Sequence, residues 1–185
     1  MRKLVYTINL SIDGCFDHTK LLPNEELGEF STHLIRDAGL IVYGRITYQI
    51  MVPYWSDIAK DQAGQSKEDI EFAEIFDATD KVVFSKSLDK VEDKRVRVVS
   101  TDLKDEILKL KQEPGKDILV GGIDLPSQLI ALGLVDEFLF VVHPIIAGGG
   151  RRLLEGIGLP EGLQLTLVDS SIFRSGHVVL RYVKR

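Results

Sequence analysis

The sequence predicts an α/β domain built on a mixed, mostly parallel sheet that ends in a C-terminal β-hairpin. Three observations carry this. Short apolar runs of strand length alternate with segments of helical periodicity along the chain. Three of those runs pass directly into turns rich in glycine or small polar residues: Gly44-Arg45-Ile46-Thr47, Ser85-Lys86-Ser87 and Gly121-Gly122. Residues 163–173 and 177–183 then pair as a hairpin around Arg174-Ser175-Gly176. With 185 residues and neither a repeat nor a linker, one domain spanning residues 1–185 is expected, long enough to bury a sizeable core.

From the amino end, Leu4, Tyr6, Ile8, Leu10 and Ile12 alternate with Val5, Thr7, Asn9 and Ser11, the period of a strand, closed by an Asp13-Gly14 turn. Asn24 is placed to cap a helix whose apolar face holds Leu27, Phe30, Leu34 and Ile35, with Glu25 and Glu26 in its first turn. Gly39 stops that helix, and residues 40–43 form a short buried strand. A second helix begins at residues 47–51, and residues 53–65, which include Trp55, read as an irregular surface segment. Ser66 with Asp69 resembles a capping box for a short helix bearing Ile70, Phe72, Ala73 and Phe76. Residues 81–84 and 95–100 are strands, and Thr101 or Asp102 caps the helix that carries Ile107, Leu108 and Leu110. Residues 118–120 and 138–142 are buried strands flanking a helix with Asp124 as its N-cap and Gly133 as its stop.

Composition narrows the function. Hydrophobic residues at 44% and charged residues at 28% are ordinary globular values. The net charge of −5 argues against general affinity for nucleic acid or an anionic membrane, because either needs a basic face. No secretory leader pattern opens the chain, and no apolar run approaches the ~20 residues that cross a bilayer. A soluble cytoplasmic protein is therefore expected. Cys15 is the only cysteine, so an internal disulfide and a cysteine-based zinc cluster are excluded. His18, His33, His143 and His177 show no metal-ligand spacing, and no metal site is expected. His143 beside Pro144 reads as a hydrogen-bonded histidine at a strand end.

In a parallel sheet the three turns lie along one edge, where open α/β sheets form ligand crevices. Gly44 permits close backbone approach, Arg45 offers a charged fork, Thr47 a hydroxyl, and Ser85 with Lys86 a further anion contact. Taken singly, Arg45 and Lys86 read more readily as solvated charges and Thr47 as a helix cap. Taken together, at three strand ends, they favour a phosphate-bearing ligand.

These segments, in this order, resemble the dihydrofolate-reductase-like superfamily, and within it the reductase domain found C-terminal to a deaminase in bifunctional riboflavin-biosynthesis enzymes. The resemblance rests on Ser11-Ile12-Asp13-Gly14, Tyr43-Gly44-Arg45-Ile46-Thr47-Tyr48, Phe84-Ser85-Lys86-Ser87-Leu88, Leu119-Val120-Gly121-Gly122, and Leu134-Val135-Asp136-Glu137 leading to His143-Pro144-Ile145-Ile146-Ala147-Gly148-Gly149-Gly150. It spans nearly the whole chain. It implies a three-layer α/β/α dihydrofolate-reductase-like fold, NADPH as cofactor and a homodimer.

Carried over by residue, the resemblance places the cofactor phosphates on Gly44, Arg45 and Thr47, and the adenosine 2′-phosphate near Ser85 and Lys86. Gly121, Gly122 and Ile123 run against the pyrophosphate or the nicotinamide ribose. A cis peptide joining Gly121 to Gly122, as folate reductases have, is a further expectation. The implied chemistry is hydride transfer from nicotinamide to C=N or to an opened sugar, with the protein aligning the partners. Asp13 and Glu26 are the candidate catalytic carboxylates. The alternative readings are a turn residue for Asp13 and a helix N-terminal acid for Glu26. Asn9, Ser11 and Arg151 are the candidate substrate contacts. The leading expectation is a reductase of the 5-amino-6-(5-phosphoribosylamino)uracil type. Pterin reduction and a non-catalytic NADPH-binding module are the alternatives.

Overall fold

Apolar side chains on both faces make β1 (Leu4–Ser11) a central strand. Leu4, Tyr6 and Ile8 are buried on one side of the sheet and Val5 on the other. The computed structural model describes residues 1–22, 24–88, 91–155, 159 and 162–185. Around β1, strands β2 (Leu40–Gly44), β3 (Lys81–Phe84), β4 (Val96–Val99), β5 (Ile118–Val120), β6 (Glu137–His143), β7 (Leu165–Ile172) and β8 (Val178–Lys184) complete one sheet, in the order β4-β3-β2-β5-β1-β6-β8-β7. Strands β1 to β6 run parallel, and the β7–β8 hairpin adds to β6 antiparallel. The mixed, mostly parallel sheet with its closing hairpin is thus observed.

Helices α1 (Glu25–Asp37), α2 (Arg45–Lys60) and α3 (Lys67–Ala78) cover one face, where Ile35, Tyr48, Val52 and Phe76 meet Val5, Ile41, Tyr43 and Leu119. Helices α4 (Leu103–Gln112) and α5 (Asp124–Ala131) cover the other, where Ile107, Leu110, Leu125 and Leu129 meet Leu4, Tyr6, Val42, Val120 and Phe138. Each such side chain contributes about 1.5–3 kcal/mol relative to an exposed position. The layering follows from handedness. Connections that step from β1 to β2 and on to β3 place their helices on one face. Those that return through β5 to β6 place theirs on the opposite face, as right-handed crossovers require.

Three helix boundaries differ from the sequence reading. Helix α2 begins at Arg45, ahead of the expected start at residues 47–51. Helix α2 does not yield to an irregular segment at residue 53 but runs on through Pro53 to Lys60. Proline removes one backbone hydrogen bond there, and packing on α3 offsets the loss. Trp55 packs on Phe72 with ring centroids 4.3 Å apart and planes tilted by 55°, and the Ser56 hydroxyl donates to Asp77 at 2.6 Å. Asp124 is the first residue of α5 and not its cap; the cap position is Ile123, which makes no side-chain bond. The other ends match the reading. Asn24, Ser66 and Asp102 each accept from a first-turn N–H, and Gly133 (φ 69°) closes α5 with Leu134 N donating to Leu129 O.

The topology has one consequence for the site. Strand β5 is short and pairs with β1 only at Leu4–Tyr6, whereas β6 follows β1 from Val5 to Ser11. Beyond Tyr6, β1 therefore has an open edge facing the turn that leaves β5. No described helix is long and apolar enough to cross a membrane.

Candidate active site

The C-terminal ends of β3, β2, β5, β1 and β6 stand side by side, so the three turns picked out in the sequence share one rim of the sheet. Of the five α-helices among the described residues, only α2 and α5 lack a side-chain cap, and both start at this rim, after the neighbouring strands β2 and β5. Their first-turn N–H groups have no side-chain acceptor, and the helix dipoles add partial positive charge there. This is a place for an anion.

The turns are packed together by small residues. Gly122 has φ 95°, and a β-carbon on it would stand 2.3 Å from Thr47 Oγ1. A β-carbon on Gly121 would stand 3.0 Å from the Tyr43 ring. Only glycine fits at Gly122, both for its backbone conformation and for the closeness of α2. The Tyr6 hydroxyl donates to Gly122 O at 3.2 Å and holds the turn from below. Among the described residues there is no cis peptide, so the expected cis bond between Gly121 and Gly122 is corrected to trans. The positive φ of Gly122, in place of a cis bond, shapes the turn. Ile123 follows as the α5 cap residue.

The charged residues keep to the surface of this rim. Arg45 is exposed and donates to Gln49 at 2.9 Å. Lys86 is exposed beside Ser85, whose hydroxyl accepts from Ser87 N and Leu88 N and so shapes the turn. Arg151 reaches the start of α5, where it pairs with Asp124 at 3.3 Å and lies over the Phe16 ring. The fold therefore brings Gly44, Arg45, Thr47, Ser85, Lys86, Gly121, Gly122, Ile123 and Arg151 to one edge.

The two candidate carboxylates are separate and each is engaged. Asp13 accepts from the Ser11 hydroxyl at 2.7 Å, from Ala147 N at 2.9 Å and from Gly148 N at 3.1 Å, and so ties the end of β1 to the loop after β6. The Ser11 hydroxyl, and then the Ala147 amide, lower its carboxyl to about 2. It is ionised at neutral pH and acts as an anchor, which is the turn-residue alternative weighed for it. Glu26 accepts from Arg174 N and Ser175 N at 3.4 and 3.2 Å, fastening the β7–β8 turn to the start of α1. Ser11, placed among the substrate contacts by the sequence, is buried; its hydroxyl donates to Asp13 and accepts from Cys15 N. It belongs to the turn and presents nothing to a ligand.

Asn9 is different. It lies on the open stretch of β1, is exposed, and its Oδ1 stands 3.1 Å from His143 Nε2. Behind it, His143 Nδ1 stands 3.1 Å from His177 Nε2, and His177 Nδ1 stands 2.9 Å from Ser175 Oγ. Burial, and then the neighbouring His177, lower the His143 ring to about 4. The sequence reading placed a hydrogen bond at His143 but did not connect it to His177 or Ser175. The signal was spatial: register sets Ser11 against His143, and Val178 of β8 against Val142, which puts both histidines at one strand end.

The RibD C-terminal domain family is matched over residues 2–179. The uncharacterized protein YyaP of Bacillus subtilis is 27% identical over 187 residues, which cover 98% of this chain and 94% of that protein. Among solved structures, a Shewanella sp. PV-4 protein ascribed to riboflavin biosynthesis superposes with a TM-score of 0.74 at 17% identity, covering 99% of both chains. The diaminohydroxyphosphoribosylaminopyrimidine deaminase/5-amino-6-(5-phosphoribosylamino)uracil reductase of Thermotoga maritima superposes with a TM-score of 0.69 at 15% identity, over all of this chain and 57% of that one. At these identities the likeness carries the fold.

Proposed function

The chain belongs to the RibD C-terminal domain family, and from that premise we propose that it is an NADPH-dependent reductase acting on a small heterocycle, with a ribosylamino-pyrimidine such as 5-amino-6-(5-phosphoribosylamino)uracil as the first candidate. The observation that carries the reading is the pair of side-chain-uncapped helix starts, α2 and α5, drawn together over Gly122 and flanked by exposed cations. These residues fit a dinucleotide. Backbone N–H groups of the α2 and α5 starts would hold the pyrophosphate, and the close packing of Gly122 on Thr47 brings those two starts together. Arg45 would supplement the charge at the α2 start, and Lys86 beside Ser85 would meet the adenosine 2′-phosphate and favour NADPH over NADH.

When bound, the cofactor supplies hydride at the nicotinamide C4. The chain's own part is alignment. The open stretch of β1 beyond Tyr6 borders the Gly121–Gly122 turn, so a flat substrate seated there lies against Asn9. Arg151, at the α5 start, is placed for a phosphate or a polar tail. Asp13 holds the loop at residues 147–148 that closes this end of the crevice. Because Asp13 is ionised and Glu26 is bound to the hairpin turn, neither serves as the proton reservoir in this reading; solvent at the open rim supplies the proton. The same engagement of Glu26 disfavours pterin reduction, which needs a free carboxylate against the substrate ring.

Titration calorimetry with NADPH and NADH, followed by loss of nicotinamide absorbance with the aminouracil substrate or dihydrofolate, tests the proposal. Tight NADPH binding with aminouracil turnover supports it. Binding without turnover on either substrate would leave a nucleotide-binding module, and absence of NADPH binding would overturn the reading altogether. We also propose that the protein is a cytoplasmic homodimer formed of this one domain, which sedimentation of the purified chain would check.

A further inference from the structure

Asn9 presents a donor face only if the chain of hydrogen bonds behind it runs in one direction. Both imidazoles are buried, with 2% exposure each, and their rings meet edge to face with centroids 4.5 Å apart. A neutral imidazole carries a single N–H, so with both rings neutral every link in the chain fixes the next. With Oδ1 of Asn9 facing His143, His143 carries its proton on Nε2, and its bare Nδ1 accepts from His177 Nε2–H. The bare Nδ1 of His177 then accepts from the Ser175 hydroxyl. In the reverse direction Asn9 would flip and turn its oxygen to the crevice. The placement of Asn9 Oδ1, and not Nδ2, against His143 Nε2 selects the first direction. Among the described residues, Asn9 Nδ2 has no hydrogen-bond partner, and Asn9 is exposed.

We propose that Ser175, His177 and His143 form a positioning chain that locks the Asn9 amide with both N–H donors toward the crevice, so that the substrate must offer a hydrogen-bond acceptor, a ring carbonyl or hydroxyl oxygen, at this point. The inference rests on the reductase reading for its substrate. The orientation itself rests on the geometry alone. A group that can only donate there would leave the fixed Asn9 donors unpaired, which is the strongest form of discrimination a polar contact gives. His143 and His177 touch neither substrate nor cofactor in this arrangement and act through Asn9.

The test has two arms. In histidine-labelled protein without any ligand, 15N spectra at pH 7 should show Nε2–H on both His143 and His177. A scalar coupling should cross the hydrogen bond from His177 Nε2 to His143 Nδ1. A proton on His143 Nδ1 would overturn the proposed direction. In the second arm, His143→Leu should raise KM for the aminouracil substrate about 10-fold, the size of one lost hydrogen bond, while kcat and NADPH affinity hold within about 2-fold. His143→Gln, whose amide nitrogen can stand in for Nε2, should bring KM back to within about 3-fold of the parent. Equal KM in His143→Leu and the parent would refute positioning. Should His143→Leu fail to fold, Ser175→Ala, at a half-buried position in the turn of the hairpin, takes its place; a smaller KM rise and exchange-broadened His177 resonances support the proposal, and unchanged spectra and KM refute it. If the parent protein shows no NADPH binding, the reductase reading falls while the spectra still decide the orientation.

Discussion

Thr47 fills the space that a side chain on Gly122 would need: a β-carbon there would lie 2.3 Å from its hydroxyl oxygen. The contact joins the first turn of α2 to the turn after β5 and brings two helix starts to one point. Gly122→Ala should therefore disturb both fold and site. The positive φ and the clash together cost about 1–3 kcal/mol, and NADPH affinity should fall about 10-fold or more as the two helix starts separate. Adding Thr47→Ala removes the hydroxyl but leaves the backbone strain, so the double variant should recover only part of the stability. Thermal unfolding and calorimetry check both; wild-type affinity in Gly122→Ala would show that the close approach is irrelevant to binding.

Lys86 and Arg45 should separate by cofactor. Both are exposed, so each acts through charge at the rim and not through packing. Lys86→Gln is expected to weaken NADPH about 5- to 10-fold and leave NADH nearly unchanged, since only NADPH carries the additional phosphate. Arg45→Gln should weaken both alike. Affinity should also fall as salt rises, because exposed charges are screened over roughly 10 Å at 0.1 M. Parallel titrations of the two cofactors with the two variants decide the assignment.

How much of this was legible before the fold was known depends on whether the signal was local. The turns at Gly44, Ser85 and Gly121 each follow a short, uninterrupted apolar run, and in a parallel sheet such runs end on one edge, so their convergence could be read directly. The caps at Asn24, Ser66 and Asp102 were equally local. Helix α2 beyond Pro53 was not, because its persistence depends on Trp55 meeting Phe72 of another helix. Nor were the partners of Asp13, Glu26 and Asn9. Those bonds join residues more than 130 positions apart, such as Asp13 to Ala147 and Glu26 to Ser175, and they exist only once β6 lies beside β1 and β8 beside β6.

The buried His143 gives stability a defined acid limb. Its folded pKa of about 4 lies below the ordinary histidine value of 6.5. Between those values the unfolded chain binds a proton that the folded chain refuses, so stability rises with pH across this window. The contribution is fully present above pH 6.5 and is lost as the pH falls toward 4, to a total on the order of 3 kcal/mol. Urea unfolding from pH 7.5 to 4 should show this loss, and His143→Gln, which does not titrate, should flatten it. An equal acid limb in the variant would place the effect on other groups.

Asp13 offers the clearest separation of anchoring from proton donation. As an anchor, its two carboxylate oxygens serve Ser11, Ala147 and Gly148 at once. Asp13→Asn replaces one acceptor oxygen with an NH2 group that faces a backbone N–H, so at least one of these bonds is lost. The amides of Ala147 and Gly148 should then exchange with solvent about 10-fold faster or more. Because a carboxyl near 2 does not titrate around neutrality, the pH dependence of turnover between 6 and 8 should keep its shape while kcat/KM falls with the loosened loop. A proton donor behaves oppositely: its removal would erase a limb of the pH profile and leave amide exchange at residues 147 and 148 unchanged. Hydrogen exchange and a pH series on the same variant therefore distinguish the roles, because each predicts a change where the other predicts none.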